Sequence, residues 1–117
     1  MKKHIAELTG AALDWVIAKS ENSDWTDEDA IVNVTSFDER DGTLCNYSTD
    51  WAQGGPIIER EAITIEKATS SLWVARNKDL GLHVFGQTPL IAAMRLNGIA
   101  YFGLIIDIPE ELTGETA

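Results

Sequence analysis

The stretch "TPLIAAMRLNGIAYFG", Thr88 to Gly103, constrains this chain more than any other. Thr88 has an N-cap side chain, and Pro89 stands at the first helical position, where its missing N–H is harmless. Strong helix formers continue through Leu96, and Leu90, Ile91, Met94 and Ile99 form a stripe that needs an apolar layer to pack on. Arg95 projects from the edge of that stripe. Gly98 and Gly103 weaken the later turns, so the helix either ends near Asn97 or runs on to Phe102. "LIIDIPEEL" then gives an exposed tail or an edge strand.

What could supply that layer is legible upstream. "ELTGAALDWVIAKSE" predicts an amphipathic helix with Leu13, Val16, Ile17 and Ser20 on one stripe, Thr9 as N-cap, Leu8 stapled onto Leu13 and Trp15 on the flank. "AIVNVTSFDERDG" is rich in β-branched residues and predicts a short strand through Phe37, closed by the Gly-ended turn "DERDG". "TLCNYSTD" is the expected returning strand of that hairpin. Pro56 then suits the first residue of a short helix that turns Ile57 and Ile58 inward. One or two strands are expected in "AITIEKATSSLWVARN", and another in "LHVFGQ" after the turn "KDLG". The order predicts one α+β domain over residues 1–117: a small antiparallel sheet with helices packed on it, layered like an α-β-α sandwich.

Composition removes several functions. Nineteen acidic against nine basic residues leave a net charge of -10, which excludes a general basic footprint on nucleic acid or anionic lipid. The acids either keep the protein soluble or imitate DNA for a DNA-binding partner. No apolar run reaches the length of a membrane helix, and "MKKHIAELTG" has no apolar segment behind its lysines, so a cytosolic setting is expected, with His4 in a flexible start. Cys45, the one cysteine, reads as a reduced thiol. Only His4 and His83 are available to a hydrolytic triad, and His83 lies on the solvent side of a strand pattern. Neither HExxH nor DxDxDG spacing occurs, "QGGP" lacks the lysine of a phosphate loop, and Glu59 and Glu61 flank Arg60 on an exposed helix face. The sequence thus predicts no metal, no cofactor and no catalytic residue.

Binding chemistry is better supplied in "YSTDWAQGGP". Ser48 and Thr49 offer hydroxyls, Asp50 an acceptor for ribose hydroxyls, and Trp51 or Tyr47 a face for stacking a base. Gly54 and Gly55 let backbone N–H groups approach an anion at a helix N-terminus, Arg95 or Arg76 adds a fork for phosphate, and Thr88 is included in the expected ligand-binding set. The purely structural reading is that Asp50 caps the next turn, Trp51 fills the core and Gly-Gly-Pro bends the chain.

"LTGAALDWVIAK" (Leu8 to Lys19), "YSTDWAQGGPIIERE" (Tyr47 to Glu61) and "TPLIAAMR" (Thr88 to Arg95), with the closing "DIPEEL", resemble the NinX-like family of small bacteriophage proteins. The resemblance implies an α-β-α sandwich and a phage gene product made in the host bacterial cytoplasm, acting as an accessory or host-interaction factor. Small phage proteins of this kind commonly act by binding without turnover. The expectation is a non-enzymatic, homo-oligomeric protein that sequesters a nucleotide-derived immune signal of the host, of cyclic-nucleotide or ADP-ribose type. The alternative is an acidic DNA mimic that occupies a host nucleic-acid-binding protein. Members of that family follow the last helix with a more polar loop, so the apolar "FGLIIDIP" departs from the resemblance and is expected to serve as an association surface.

Overall fold

The computed structural model describes residues 1–36 and 44–113. The chain opens with β1 (Lys2–His4) and a 3-10 turn, Ile5–Glu7, followed by α1 (Gly10–Glu21) and α2 (Asp27–Thr35). After the loop come α3 (Trp51–Arg60), β2 (Thr64–Lys67), β3 (Trp73–Asn77) and β4 (Leu82–Gly86). α4 (Pro89–Phe102), β5 (Ile105–Asp107) and a 3-10 turn at Glu110–Leu112 complete it. The fold is α+β. β2, β3 and β4 form an antiparallel meander whose register sets Ala75 between Ile65 and Val84.

α4 is the hub of the packing. It lies against β2, β3 and β4 on one side and against α1 and α3 on others. Leu90, Ala92, Ala93, Met94, Leu96, Asn97, Gly98 and Ile99 are all buried, so the expected stripe closes into a nearly continuous buried surface and only Ile91 of the stripe is half-buried. A helix apolar all round belongs in a core. Contact this close needs small residues: a Cβ on Gly86 of β4 would stand 2.5 Å from the Ala92 backbone nitrogen, and one on Gly98 would press on Val16 and Ile5. α1 buries Leu13, Val16 and Ile17 as expected, and Trp15 too is buried, its indole N–H donating to the Asp27 carbonyl at 3.3 Å. Thr9 stands at the N-cap of α1, although its side chain makes no capping bond.

Three expectations are corrected. The segment expected as a strand from Ile31 is the helix α2, and its start explains why. The Thr26 hydroxyl accepts from the Asp29 N–H at 3.1 Å while the Asp29 carboxylate accepts from the Thr26 N–H at 3.0 Å, a reciprocal capping box. Asp27, Glu28 and Asp29 in the first turn complement the helix dipole. Such a cap is worth about 1 kcal/mol, comparable to the few tenths that each of Ile31, Val32, Val34 and Thr35 costs. Burial of Ala30 and Val34, one turn apart, tips the balance to helix. The turn "DERDG" lies outside the described residues. The expected return is no strand: Tyr47, Ser48 and Thr49 form a turn, and Cys45 donates its N–H to the Asn33 carbonyl at 2.8 Å.

The second correction is the start of α3, which begins at Trp51 rather than Pro56. Asp50 is its N-cap, with Oδ1 accepting from the Ala52 N–H at 2.9 Å, and Pro56 sits inside the helix. The third is the start of the chain, where His4 pairs with Ile105 as β1 joins β5 antiparallel. "LIIDIPEEL" therefore contributes an edge strand.

α3 stops at a Schellman turn: Ile63 N–H bonds the Ile58 carbonyl at 3.0 Å and Ala62 N–H bonds that of Glu59 at 3.2 Å. Ala62 carries a φ of 52°, in the left-handed region that glycine occupies most easily. Ala62→Gly is therefore expected to stabilise the protein by about 0.5 to 1 kcal/mol after allowing for unfolded-state entropy. Gly86→Ala, which drives a methyl into the α4 backbone, should cost about 3 kcal/mol. Thermal unfolding checks both: a raised midpoint for the first and one lowered on the order of 10 °C for the second.

Candidate functional site

Two helix N-termini meet at one cavity. Asp50 caps α3 as described, and the Thr88 hydroxyl caps α4 by accepting from the Ile91 N–H at 3.1 Å. Between these ends lies a cavity of about 230 Å³ bordered by Ser48, Thr49, Trp51, Thr88, Pro89 and Leu90. The N–H groups of Trp51 and Leu90, in the first turns, donate to no acceptor among the described residues. Each helix start presents roughly half a positive charge, and at α3 the capping Asp50 carboxylate offsets it, so the Thr88-capped start of α4 is the more positive of the two. No Lys, Arg or His borders it among the described residues.

Trp51 is the main apolar wall. Its indole is 55% exposed although aromatic, and it lies back over Gly55, where a Cβ would be 3.9 Å from the ring. Gly55 therefore gives the ring room to lie along α3. Gly54 serves packing: a Cβ there would stand 2.6 Å from both Leu90 Cδ2 and the Tyr47 carbonyl oxygen, so α3 and α4 touch at this point. The Gly54 N–H is spent on the Asp50 carbonyl at 2.9 Å, and the two glycines lie inside the helix rather than at its N-terminus. The anion-receiving role expected of Gly54 and Gly55 passes to the helix starts themselves.

The sequence-predicted residues divide into three places. Ser48, Thr49, Trp51 and Thr88 share the cavity, with Asp50 between them as a cap. Tyr47 points elsewhere: its phenol sits against Cys45, Asn22 and Glu21 near the end of α1, and burial first, then Cys45, pushes its pKa well above the usual value. Arg95 is further off still. Its Nε donates to the Leu8 carbonyl at 2.8 Å and its Nη1 to the Phe85 carbonyl at 2.9 Å, so its fork is taken up in tying α4 to the chain before α1 and to β4. It also borders a separate groove of about 290 Å³ with Phe85 and Leu104. Arg76 pairs with Glu66 at 3.3 Å on the sheet.

Residues that the sequence did not flag hold the site in shape. Asp14 of α1 is 5% exposed and accepts the Ser48 N–H at 2.8 Å. Burial raises the Asp14 pKa, against the lowering pull of the Ser48 N–H and of its nearby hydroxyl. That hydroxyl, 2% exposed, completes no well-formed hydrogen bond. Gln53 clamps the preceding loop, accepting from Asn46 N–H at 2.9 Å and donating to the Leu44 carbonyl at 2.7 Å. The signal for Asp14 was present: a carboxylate inside the apolar run Leu13 to Ala18.

The acidic segments gather apart from this cavity. Asp27, Glu28, Asp107, Glu110 and Glu111 border a cleft of about 400 Å³. Asp27 pairs with Lys19 at 2.7 Å and Asp29 is held in the α2 cap, so two of the α2 acids serve structure. Asp38, which with Asp27, Glu28 and Asp29 would carry the DNA-mimic alternative, lies outside the described residues. No group of three or more His, Cys, Asp or Glu placed to hold a metal ion occurs among the described residues, and no helix there is long and apolar enough to cross a membrane.

The family described as Bacteriophage P22, NinX matches the chain over residues 4–97. The protein belongs to this phage NinX family. The match takes in α1 to β4 and α4 as far as Asn97, and with them the whole Ser48–Trp51–Thr88 cavity. It leaves the last turn of α4, β5 and "DIPEEL" outside. No curated protein matches the chain.

Asp14 also makes the site's anchor sensitive to pH. Its folded pKa is raised, so its neutral form stabilises the fold most below the ordinary carboxylate pKa, and that stabilisation is lost as pH rises through the folded value. Asp14→Asn keeps an acceptor for Ser48 without the charge. Its unfolding midpoint relative to the unsubstituted protein should therefore be more favourable at neutral pH than near pH 4, checked by thermal unfolding at both.

Proposed function

We propose that this NinX-family protein is a binding protein without turnover that holds a small phosphodiester-bearing nucleotide between the N-termini of α3 and α4 and keeps it from a host effector. The observation that carries this reading is the convergence of two capped helix starts on one cavity beside an exposed Trp51. Charge selects within the nucleotide class. Two helix starts, one of them already offset by the Asp50 carboxylate, with no basic side chain bordering the cavity among the described residues, suit an anion of no more than a single charge, such as a phosphodiester. A pyrophosphate or a terminal phosphate would bring more negative charge than the helix ends offset, in a chain already at -10. A cyclic nucleotide therefore fits better than an ADP-ribose derivative.

In this reading the Trp51 face stacks the base and the hydroxyls of Thr49 and Thr88 receive the sugar-phosphate oxygens, while the buried Ser48 anchors the loop to Asp14 behind them. The site is set for the host bacterial cytoplasm, where such signals are made. The acidic alternative is weaker, because Asp27 and Asp29 are already engaged within the protein.

The same reading includes self-association. Phe85 is 47% exposed and Leu104 62%, and both border the groove beside β4, the outer strand of the meander. β4, "LHVFG", carries no Lys, Glu or Asp to guard its edge, whereas β2 at the other edge carries Glu66 and Lys67. A second copy is the proposed partner of that edge. Leu104→Asp is expected to shift the protein to monomer in analytical ultracentrifugation, and a monomeric unsubstituted protein would remove this element.

Calorimetric titration with cyclic nucleotides and ADP-ribose tests the ligand. Binding of at least one cyclic nucleotide is expected, weakened about 10-fold or more by Trp51→Ala, since stacking on an aromatic is worth about 1 to 3 kcal/mol. Heat with no member of the panel, or equal affinity after Trp51→Ala, would contradict it.

A further inference from the structure

Asn97 stands in the middle of α4, where its neighbours Leu96, Gly98 and Ile99 are all buried. It is 7% exposed, and its side-chain amide forms no hydrogen bond with any of the described residues. A leucine would occupy such a helix position without desolvating an amide, a cost that Asn97 bears only in part because its polar atoms open onto a cavity. Asn97 borders a cavity of about 250 Å³ at the far end of α4 from the Trp51 site. The separation along the helix from Pro89 is about 12 Å at 1.5 Å per residue.

The other groups around this cavity define its chemistry. Glu61 offers only acceptors. Asn77 spends its Oδ1 on the N–H groups of Asp79 and Leu80, at 3.0 and 3.3 Å, and so presents its amide N–H as a donor. Leu80 and Tyr101, 56% and 57% exposed, provide apolar surface at the mouth, and Leu96 lies beneath. Neither Lys, Arg nor His borders the cavity among the described residues, and the nearest cation, Arg60, is held outside it by Glu21 at 2.7 Å and by Glu61 Oε1 at 3.6 Å, so the lining itself offers an anion no counter-charge. An uncharged planar group with a donor beside an acceptor meets every requirement: the Asn amide pairs with both, the carboxylate accepts a second amino proton, and Leu80 and Tyr101 cover the faces.

We propose that the Asn97 cavity is a second binding site, for an uncharged nucleobase that carries an exocyclic amino group. Adenine presents that amino group next to a ring acceptor, the pattern a bidentate Asn recognises. The site is independent of the phosphate-binding reading above, because a nucleoside carries no phosphate.

The test is a titration of the ¹⁵N-labelled full chain with adenosine and with inosine, which replaces the amino group by a carbonyl. Adenosine is expected to shift the Asn97 side-chain amide and the backbone signals of Leu80 and Tyr101, with inosine at least 10-fold weaker. Asn97→Leu is expected to raise the unfolding midpoint while abolishing the shifts. Tyr101→Ala, a surface change that leaves the core intact, should weaken adenosine several-fold and keeps the test decisive should Asn97→Leu misfold. Unmoved Asn97 signals, inosine binding as tightly as adenosine, or unchanged affinity in Tyr101→Ala would overturn the proposal.

Discussion

The rest of the structure depends on how closely its neighbours approach α4. The helix is surrounded by the sheet, α1 and α3, and each approach passes through a residue with no room for a side chain: Gly86 from β4, Gly98 toward α1 and Gly54 from α3. Close packing of this kind transmits geometry, since a rigid core moves as one body. Because Gly54 meets Leu90 directly, the start of α3 is pinned beside the start of α4, and the cavity between Trp51 and Thr88 follows from that contact. Core packing and candidate site are thus one feature seen from two sides.

Electrostatics give the cavity its character. A chain of net charge -10 has few cations to spend, and among the described residues Arg95, Arg60 and Arg76 are held by Leu8 and Phe85 carbonyls, Glu21 and Glu66 respectively. What remains positive near Trp51 is backbone. Helix ends are weaker than an arginine fork but fixed in place, which suits a ligand of low charge read mainly by stacking.

Local signals made the helix starts legible. Thr88-Pro89 marks α4, and a capping role for Asp50 is one of the two readings the sequence leaves open, because capping is decided within four residues. α2 is hidden by its β-branched run, because the capping box in "TDED" only balances that run locally and the burial of Ala30 and Val34, which decides for helix, comes from packing. Tyr47 and Arg95 were grouped with the cavity because they stand near its residues in sequence or along a helix. The phenol's turn toward Cys45 and the guanidinium's reach to Leu8 depend on contacts between distant segments, which no short motif encodes. Asp14, Gln53 and Asn97 escaped for the same reason, although a lone polar residue inside an apolar helical run is a sign worth reading in Asp14 and Asn97.

The central claim is that a phosphodiester sits between the two helix starts. Amide proton shifts of Trp51 and Leu90 report it most directly, since these two N–H groups are the donors left open there. On addition of a cyclic nucleotide at low salt, both are expected to move downfield together and saturate with one binding curve. Saturated binding that leaves both amides unmoved would contradict the account.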